Sequence, residues 1–173
     1  LREPASPDDP YWVIDPLDGS YNFMRGIPLC AVSIALCHGM TPLAGAVYDF
    51  VRDELVHTNE TAGLYRNGER IDRAALGGPS SLSTGIPAAT RSNAEATAKN
   101  AEVLNAWGKV RMIGSAALSL SWVAQGKLDG YKETGIRWWD VAGGLALVRA
   151  SGGNFTVAND DIWSPLEVSA NGR

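Results

Sequence analysis

Apolar residues in the first half of the chain fall in short runs with the two-residue period of strands. Tyr11 to Ile14, between Pro10 and the segment Asp15-Pro16-Leu17-Asp18-Gly19, reads as a short buried strand that ends where Pro and Gly punctuate the backbone. Ser20 is placed to cap a helical turn reaching Arg25. From Ala31 to Cys37, Val32, Ile34 and Leu36 alternate with the small Ser33, Ala35 and Cys37, as in a strand covered on both faces. Leu43 to Tyr48 and Glu54 to Thr58 predict the next two strands. The tight connections at His38-Gly39 and Val51-Arg52-Asp53 make them antiparallel neighbours, and Asn67-Gly68 is a strong hairpin dipeptide.

The pattern changes after Gly77 to Ser83, a stretch rich in Gly, Pro and Ser that we take as the boundary between an antiparallel part, residues 1–78, and a helix and strand part, residues 79–173, of one compact unit. Helices are predicted over Glu95 to Trp107 and Ala116 to Ala124. Strands are predicted over Val110 to Ile113 and from Gly130-Tyr131 onward. Val141, Leu145 and Val148 recur at helical spacing in a helix ending at Gly152-Gly153, and Phe155 to Val157 and Glu167 to Ala170 are short strands. The fold class is α/β, with an α+β-like order along the chain.

Composition narrows the partners. With 45% apolar and 20% charged residues, the chain can bury a core and is neither disordered nor fibrous. A net charge of −4 argues against a nucleic-acid surface, because such surfaces cluster Lys and Arg. An acidic protein that binds phosphate must draw positive charge from helix N-termini and cations. No apolar run is long enough to span a membrane and no signal-peptide pattern opens the chain, so the expected location is cytoplasmic. Cys30 and Cys37 are expected to be small core residues rather than a disulfide.

The candidate chemistry begins at Asp15-Pro16-Leu17-Asp18-Gly19-Ser20. Two carboxylates in one loop are the hard oxygen donors a divalent cation prefers, and the Leu17 carbonyl can add a third ligand. Gly19 lets a phosphate approach the backbone, and the Gly19 and Ser20 amides can receive it. By itself this motif also fits a capped turn. Asp140, in Trp138-Trp139-Asp140, stands at a helix start, where an N-cap role is the plainer alternative. The Gly114-Ser115-Ala116 turn offers amides for a substrate oxygen, with a plain helix cap as its alternative. Glu133 can bind substrate hydroxyls or be a solvated surface carboxylate. Nucleophile-elbow, nucleotide-loop and zinc patterns are absent.

Taken in order, Trp12 to Phe23, Gly26-Ile27-Pro28, Gly114-Ser115-Ala116, Glu133, Trp139 to Gly143 and Ser151-Gly152-Gly153 resemble the inositol monophosphatase family. The resemblance implies a layered α/β sandwich of the sugar-phosphatase type, commonly a homodimer. It also implies Mg²⁺ held by Asp15, the Leu17 carbonyl, Asp18 and Asp140, with Asp15 bridging two ions. The Gly19 and Ser20 amides would hold phosphate and the Ser20 hydroxyl would orient the attacking water. Gly114, Ser115, Ala116 and Glu133, beside Asp18 and Asp140, would face the alcohol. The implied reaction is hydrolysis of a small phosphorylated alcohol or sugar such as inositol monophosphate, with attack on phosphorus assisted by two metals. Fructose 1,6-bisphosphate, histidinol phosphate and 3′-phosphonucleotides are rival substrates, Arg137 being placed to favour a second negative charge. A non-catalytic metal-binding remnant and a structural calcium loop are the other readings. Family members carry a further N-terminal region, including a Glu-Glu pair of the first metal site, and a last helix. The expectation is therefore a fragment or trimmed chain that keeps an ion yet turns over poorly.

Overall fold

A computed structural model describes residues 9–58, 63–74, 80–87, 93–159 and 161–172. Six antiparallel strands form a first sheet in sequential order: β1 (Tyr11–Asp18), β2 (Ala31–His38), β3 (Thr41–Asp49), β4 (Glu54–Thr58), β5 (Leu64–Arg66) and β6 (Glu69–Ile71). The β5–β6 hairpin turns at Asn67 (φ 50°) and Gly68 (φ 85°), the left-handed pair that a two-residue turn requires. A short helix, α1 (Ser20–Met24), joins β1 to β2.

The second sheet has the order β10-β11-β9-β7-β8, built from β7 (Ser81–Gly85), β8 (Lys109–Arg111), β9 (Gly130–Ile136), β10 (Asn154–Ala158) and β11 (Leu166–Asn171). β7 runs parallel to both β8 and β9, so each step along the chain needs a crossover. Helices α2 (Ala94–Asn105) and α3 (Ala116–Ala124) make them, and α4 (Trp138–Ala150) follows β9.

Helices α3 and α4 lie between the sheets. α4 packs on β1, β2, β3 and β4 on one side and on β10 and β11 on the other, while α3 meets β2, β3, β9 and β11. Their inward residues Leu118, Leu120, Val141, Leu145 and Leu147 are fully buried in a cluster that also takes Ala35 and Val47 from the first sheet and Tyr131 and Val168 from the second. The layered α/β sandwich is thus present, with one core shared by both sheets. α2 buries no residue and is tied to β11 by Lys99 and Glu167.

Three local expectations need correction. β1 continues through Asp18 instead of ending at Ile14, because the ladder to β2 survives the proline by way of a bulge. Ser81 to Ser83, read as part of a boundary, belong to the interior strand β7, between β9 and β8. Their hydroxyls and amides are satisfied inside the fold, with Ser81 donating to Asp129 at 2.8 Å and Ser83 paired with Ser119 at 2.8 Å. In β2 the small residues, not the large ones, are buried, because they face α4. The expected division at residues 78 and 79 lies outside the described residues. Cys30 and Cys37 are both buried free thiols.

Candidate active site

Alternation along a regular strand points residues three apart to opposite faces. Asp15 and Asp18 nevertheless share one face. Asp15 pairs with Ser33 and Asp18 with Ala31, so β1 carries an extra residue between them, and both carboxylates turn inward with exposures of 9% and 7%. Pro16, which has no N–H to give the ladder, is exposed on the free edge of β1, and the Leu17 N–H folds back to donate to Asp15 Oδ1 at 3.0 Å. The motif is therefore a bulge that gathers two acids.

Gly19 follows with φ 77° and stands at the N-cap of α1. Ser20 is its first residue and makes no side-chain cap, so the expected capping by Ser20 is not found. A Cβ at Gly19 would stand 2.6 Å from the Leu29 carbonyl oxygen, so the close approach of the chain demands glycine twice over.

Asp140 reaches the same place from α4. It is the third residue of the helix rather than the N-cap: Arg137 holds the cap position and its N–H donates to Asp140 Oδ2 at 3.0 Å. Asp15, Asp18 and Asp140 each offer a carboxylate oxygen, and these atoms lie within 4.8 Å of one another. Burial raises Asp18 to about 6, against the hydrogen bonds from Ser115 and Ala117 that favour its charge. Burial likewise raises Asp140 to about 7, and the charges of Asp18 and Asp15 push it further in that direction. Three crowded carboxylates withdrawn from water are what a hard divalent cation neutralises, so the donor set fits Mg²⁺.

The cluster sits in a cavity of about 250 Å³ lined also by Leu17, Gly19, Ser20, Tyr21, Gly85, Gly114, Ser115, Ala116, Glu133 and Ile136. Apart from Arg137, every residue expected at the site is at this cavity. Glu133, on β9, is half-buried and accepts a hydrogen bond from the Tyr131 hydroxyl at 2.9 Å; burial raises its proton affinity. It has room because Gly85 on β7 carries no side chain: a Cβ there would strike the Glu133 carboxylate. Ser115 is the N-cap of α3, and its Oγ donates to Asp18 Oδ2, as does the Ala117 N–H at 2.9 Å. The α3 N-terminus thus spends one amide and one hydroxyl on Asp18. Arg137 is not among the lining residues; its guanidinium donates to the Trp163 carbonyl at 2.7 Å and stacks over Trp139.

Sequence reasoning missed Asn22, Gly85 and Tyr131. Asn22 is buried and bonds to Leu29, Ile113 and Gly114. None of the three carries a local pattern, since each acts through a neighbour brought close only by the fold.

A family model of the inositol monophosphatase family matches residues 2–171. The chain belongs to the inositol monophosphatase family. It is 43% identical over 146 residues to a Nus factor SuhB of Xylella fastidiosa, covering 82% of this chain and 53% of that protein. To an inositol-1-monophosphatase of Mesorhizobium japonicum it is 40% identical over 146 residues, covering 82% and 54%. The fold superposes on the inositol monophosphatase II of Staphylococcus aureus solved with inositol monophosphate bound, with a TM-score of 0.83 at 27% identity, covering all of this chain and 68% of that one. The chain spans about half the length of the curated relatives just named. Among the described residues no helix is long and apolar enough to cross a membrane.

Proposed function

We propose that this chain carries the catalytic centre of a Mg²⁺-dependent phosphomonoesterase acting on a small polyol phosphate such as inositol monophosphate. The observation that carries the reading is the convergence of Asp15, Asp18 and Asp140 in one cavity that Glu133 and the Gly114 turn also line. Membership of the family and the solved relative with inositol monophosphate bound support it.

Asp15, the Leu17 carbonyl, Asp18 and Asp140 would hold the metal. When bound, Mg²⁺ supplies Lewis acidity that activates water and stabilises the departing oxygen. The Gly19 and Ser20 amides hold the phosphoryl oxygens, and the exposed Ser20 hydroxyl orients the attacking water in line with the ester. Glu133, steadied by Tyr131, accepts hydrogen bonds from substrate hydroxyls, which favours a polyol over a plain alkyl ester. No Lys or Arg lines the cavity among the described residues, so positive charge at the phosphate comes from the metal and backbone amides. We also infer a homodimer: Tyr21, Phe23, Met24 and Ile27 leave an exposed apolar group beside the cavity, and sedimentation velocity tests it.

The deciding assay is phosphate release from inositol 1-phosphate with and without Mg²⁺. Magnesium-dependent release that disappears in Asp15→Asn supports the reading. Equal release without metal, or in the variant, overturns it.

A further inference from the structure

Asn22 touches none of the three acids, yet it is buried to 8% exposure in a helix whose other residues are exposed. Its Nδ2 donates to the carbonyls of Leu29 at 2.8 Å, Ile113 at 2.9 Å and Gly114 at 3.3 Å. Two N–H groups therefore serve three acceptors. The acceptors belong to separate stretches of chain that border the cavity: the Leu29 carbonyl backs Gly19, and Ile113-Gly114 leads into α3.

Gly114 has φ 73°, and a Cβ on it would stand 2.9 Å from Asn22 Nδ2, so the turn rests its backbone on the Asn22 amide. One residue later the chain reaches Ser115. Its Oγ accepts the Leu118 N–H at 3.2 Å as a helix cap and donates to Asp18 Oδ2, while its carbonyl accepts from Ser119 Oγ at 2.7 Å. The Ala117 N–H donates to the same Asp18 oxygen at 2.9 Å. Two donors on one oxygen fix the plane of the Asp18 carboxylate.

We propose that Asn22 is a positioning residue for the metal site: by holding the Gly114 turn it places Ser115, and Ser115 with the Ala117 amide sets the orientation in which Asp18 meets the cation. The inference rests on the metal reading above and adds to it a path from α1 through the α3 N-terminus to one ligand. It assigns the Ser115 hydroxyl to Asp18 instead of to substrate. Groups that orient a ligand change metal affinity without touching the metal.

The test is Mn²⁺ binding, read by electron paramagnetic resonance of the free ion, on the 173-residue chain and on Ser115→Ala, Ser115→Thr, Asn22→Leu and the Asn22→Leu/Ser115→Ala double variant. Ser115→Ala and Asn22→Leu are each expected to weaken binding about 10- to 100-fold, and Ser115→Thr, which keeps the hydroxyl, to bind like the parent. The double variant is expected to bind no worse than the weaker single one, because both changes act through the same carboxylate. Parental affinity in a folded Asn22→Leu, or losses that multiply in the double variant, overturns the proposal while leaving the metal reading intact. No binding by the parent overturns both. If circular dichroism shows that Asn22→Leu does not fold, Asn22→Ser, which cannot span all three carbonyls, replaces it with the same expectations.

Discussion

Gly45 of β3 lies directly beneath the Gly143 carbonyl of α4, so close that a Cβ on Gly45 would stand 2.5 Å from that oxygen. On the other side, a Cβ on Gly143 would collide with Ser33 Oγ of β2. The paired glycines seat α4 directly on the first sheet, and this contact sets how near Asp140 comes to Asp15.

Gly45→Ala therefore has to lift α4 from the sheet. Overpacking of this kind costs about 1–3 kcal/mol, more than the stabilisation of about 0.4–1 kcal/mol from stiffening the unfolded chain. The expected outcome is a lower melting temperature by calorimetry, together with weaker Mg²⁺ protection as Asp140 moves away. An unchanged melting temperature would refute the close seating of α4.

Gly85→Ala acts differently. The added methyl meets the flexible end of Glu133 and not backbone, so the carboxylate swings out of the cavity while the fold persists. A charged acceptor lost to a substrate hydroxyl is worth about 1.5–3 kcal/mol, so, on the function proposed above, binding of inositol 1-phosphate should weaken about 10- to 100-fold with Mg²⁺ affinity unchanged. Calorimetric titrations with the phosphate ester and with the metal separate the two, and a loss of metal affinity would sink this assignment of Glu133.

The raised proton affinities of Asp18, to about 6, and Asp140, to about 7, predict opposite pH trends for the metal-free and metal-bound chain. The folded acids hold protons more tightly than the unfolded ones, whose ordinary value is 3.8. Their contribution to stability is therefore complete below about pH 4 and is lost as pH climbs through 6 and 7. Cation binding needs them deprotonated and strengthens over the same interval. Thermal melts in EDTA should fall from about pH 5 to about pH 8. The rise produced by saturating Mg²⁺ should grow over that range, and melts that rise with pH in EDTA would contradict the burial of these acids.

Asp140→Asn separates ligand from structure. The amide oxygen can still accept from the Arg137 N–H, so that hydrogen bond at the helix start survives while the buried charge beside Asp18 and Asp15 is removed. Near pH 8 the metal-free variant should melt higher than the parent, by about 2–4 °C for each kcal/mol relieved, and should gain nothing from Mg²⁺. Scanning fluorimetry with and without the ion reads both effects.

Much of the local structure was legible. β4 over Glu54–Thr58 and α3 over Ala116–Ala124 have the bounds read from the sequence, because each lies between plain turn signals. β7 was hidden: Ser81 and Ser83 read as part of a Gly-, Pro- and Ser-rich boundary, and only Asp129 and Ser119, distant in sequence, make it possible to bury them. Asn22 was hidden for the same reason, its acceptors lying up to 92 residues away.

The sequence by itself determined which chemistry was available, since the acids at 15, 18 and 140, the glycines at 19 and 114 and the carboxylate at 133 are written in it. It also determined an antiparallel first half followed by a helix and strand half. Only the tertiary structure decided that Asp15 and Asp18 share a face, because that depends on the register slip between β1 and β2. It alone decided that Asp140 joins them, because that depends on how closely α4 sits on the first sheet. Periodicity reports which way a residue faces within its own element, and a site assembled from three elements is fixed by the packing between them.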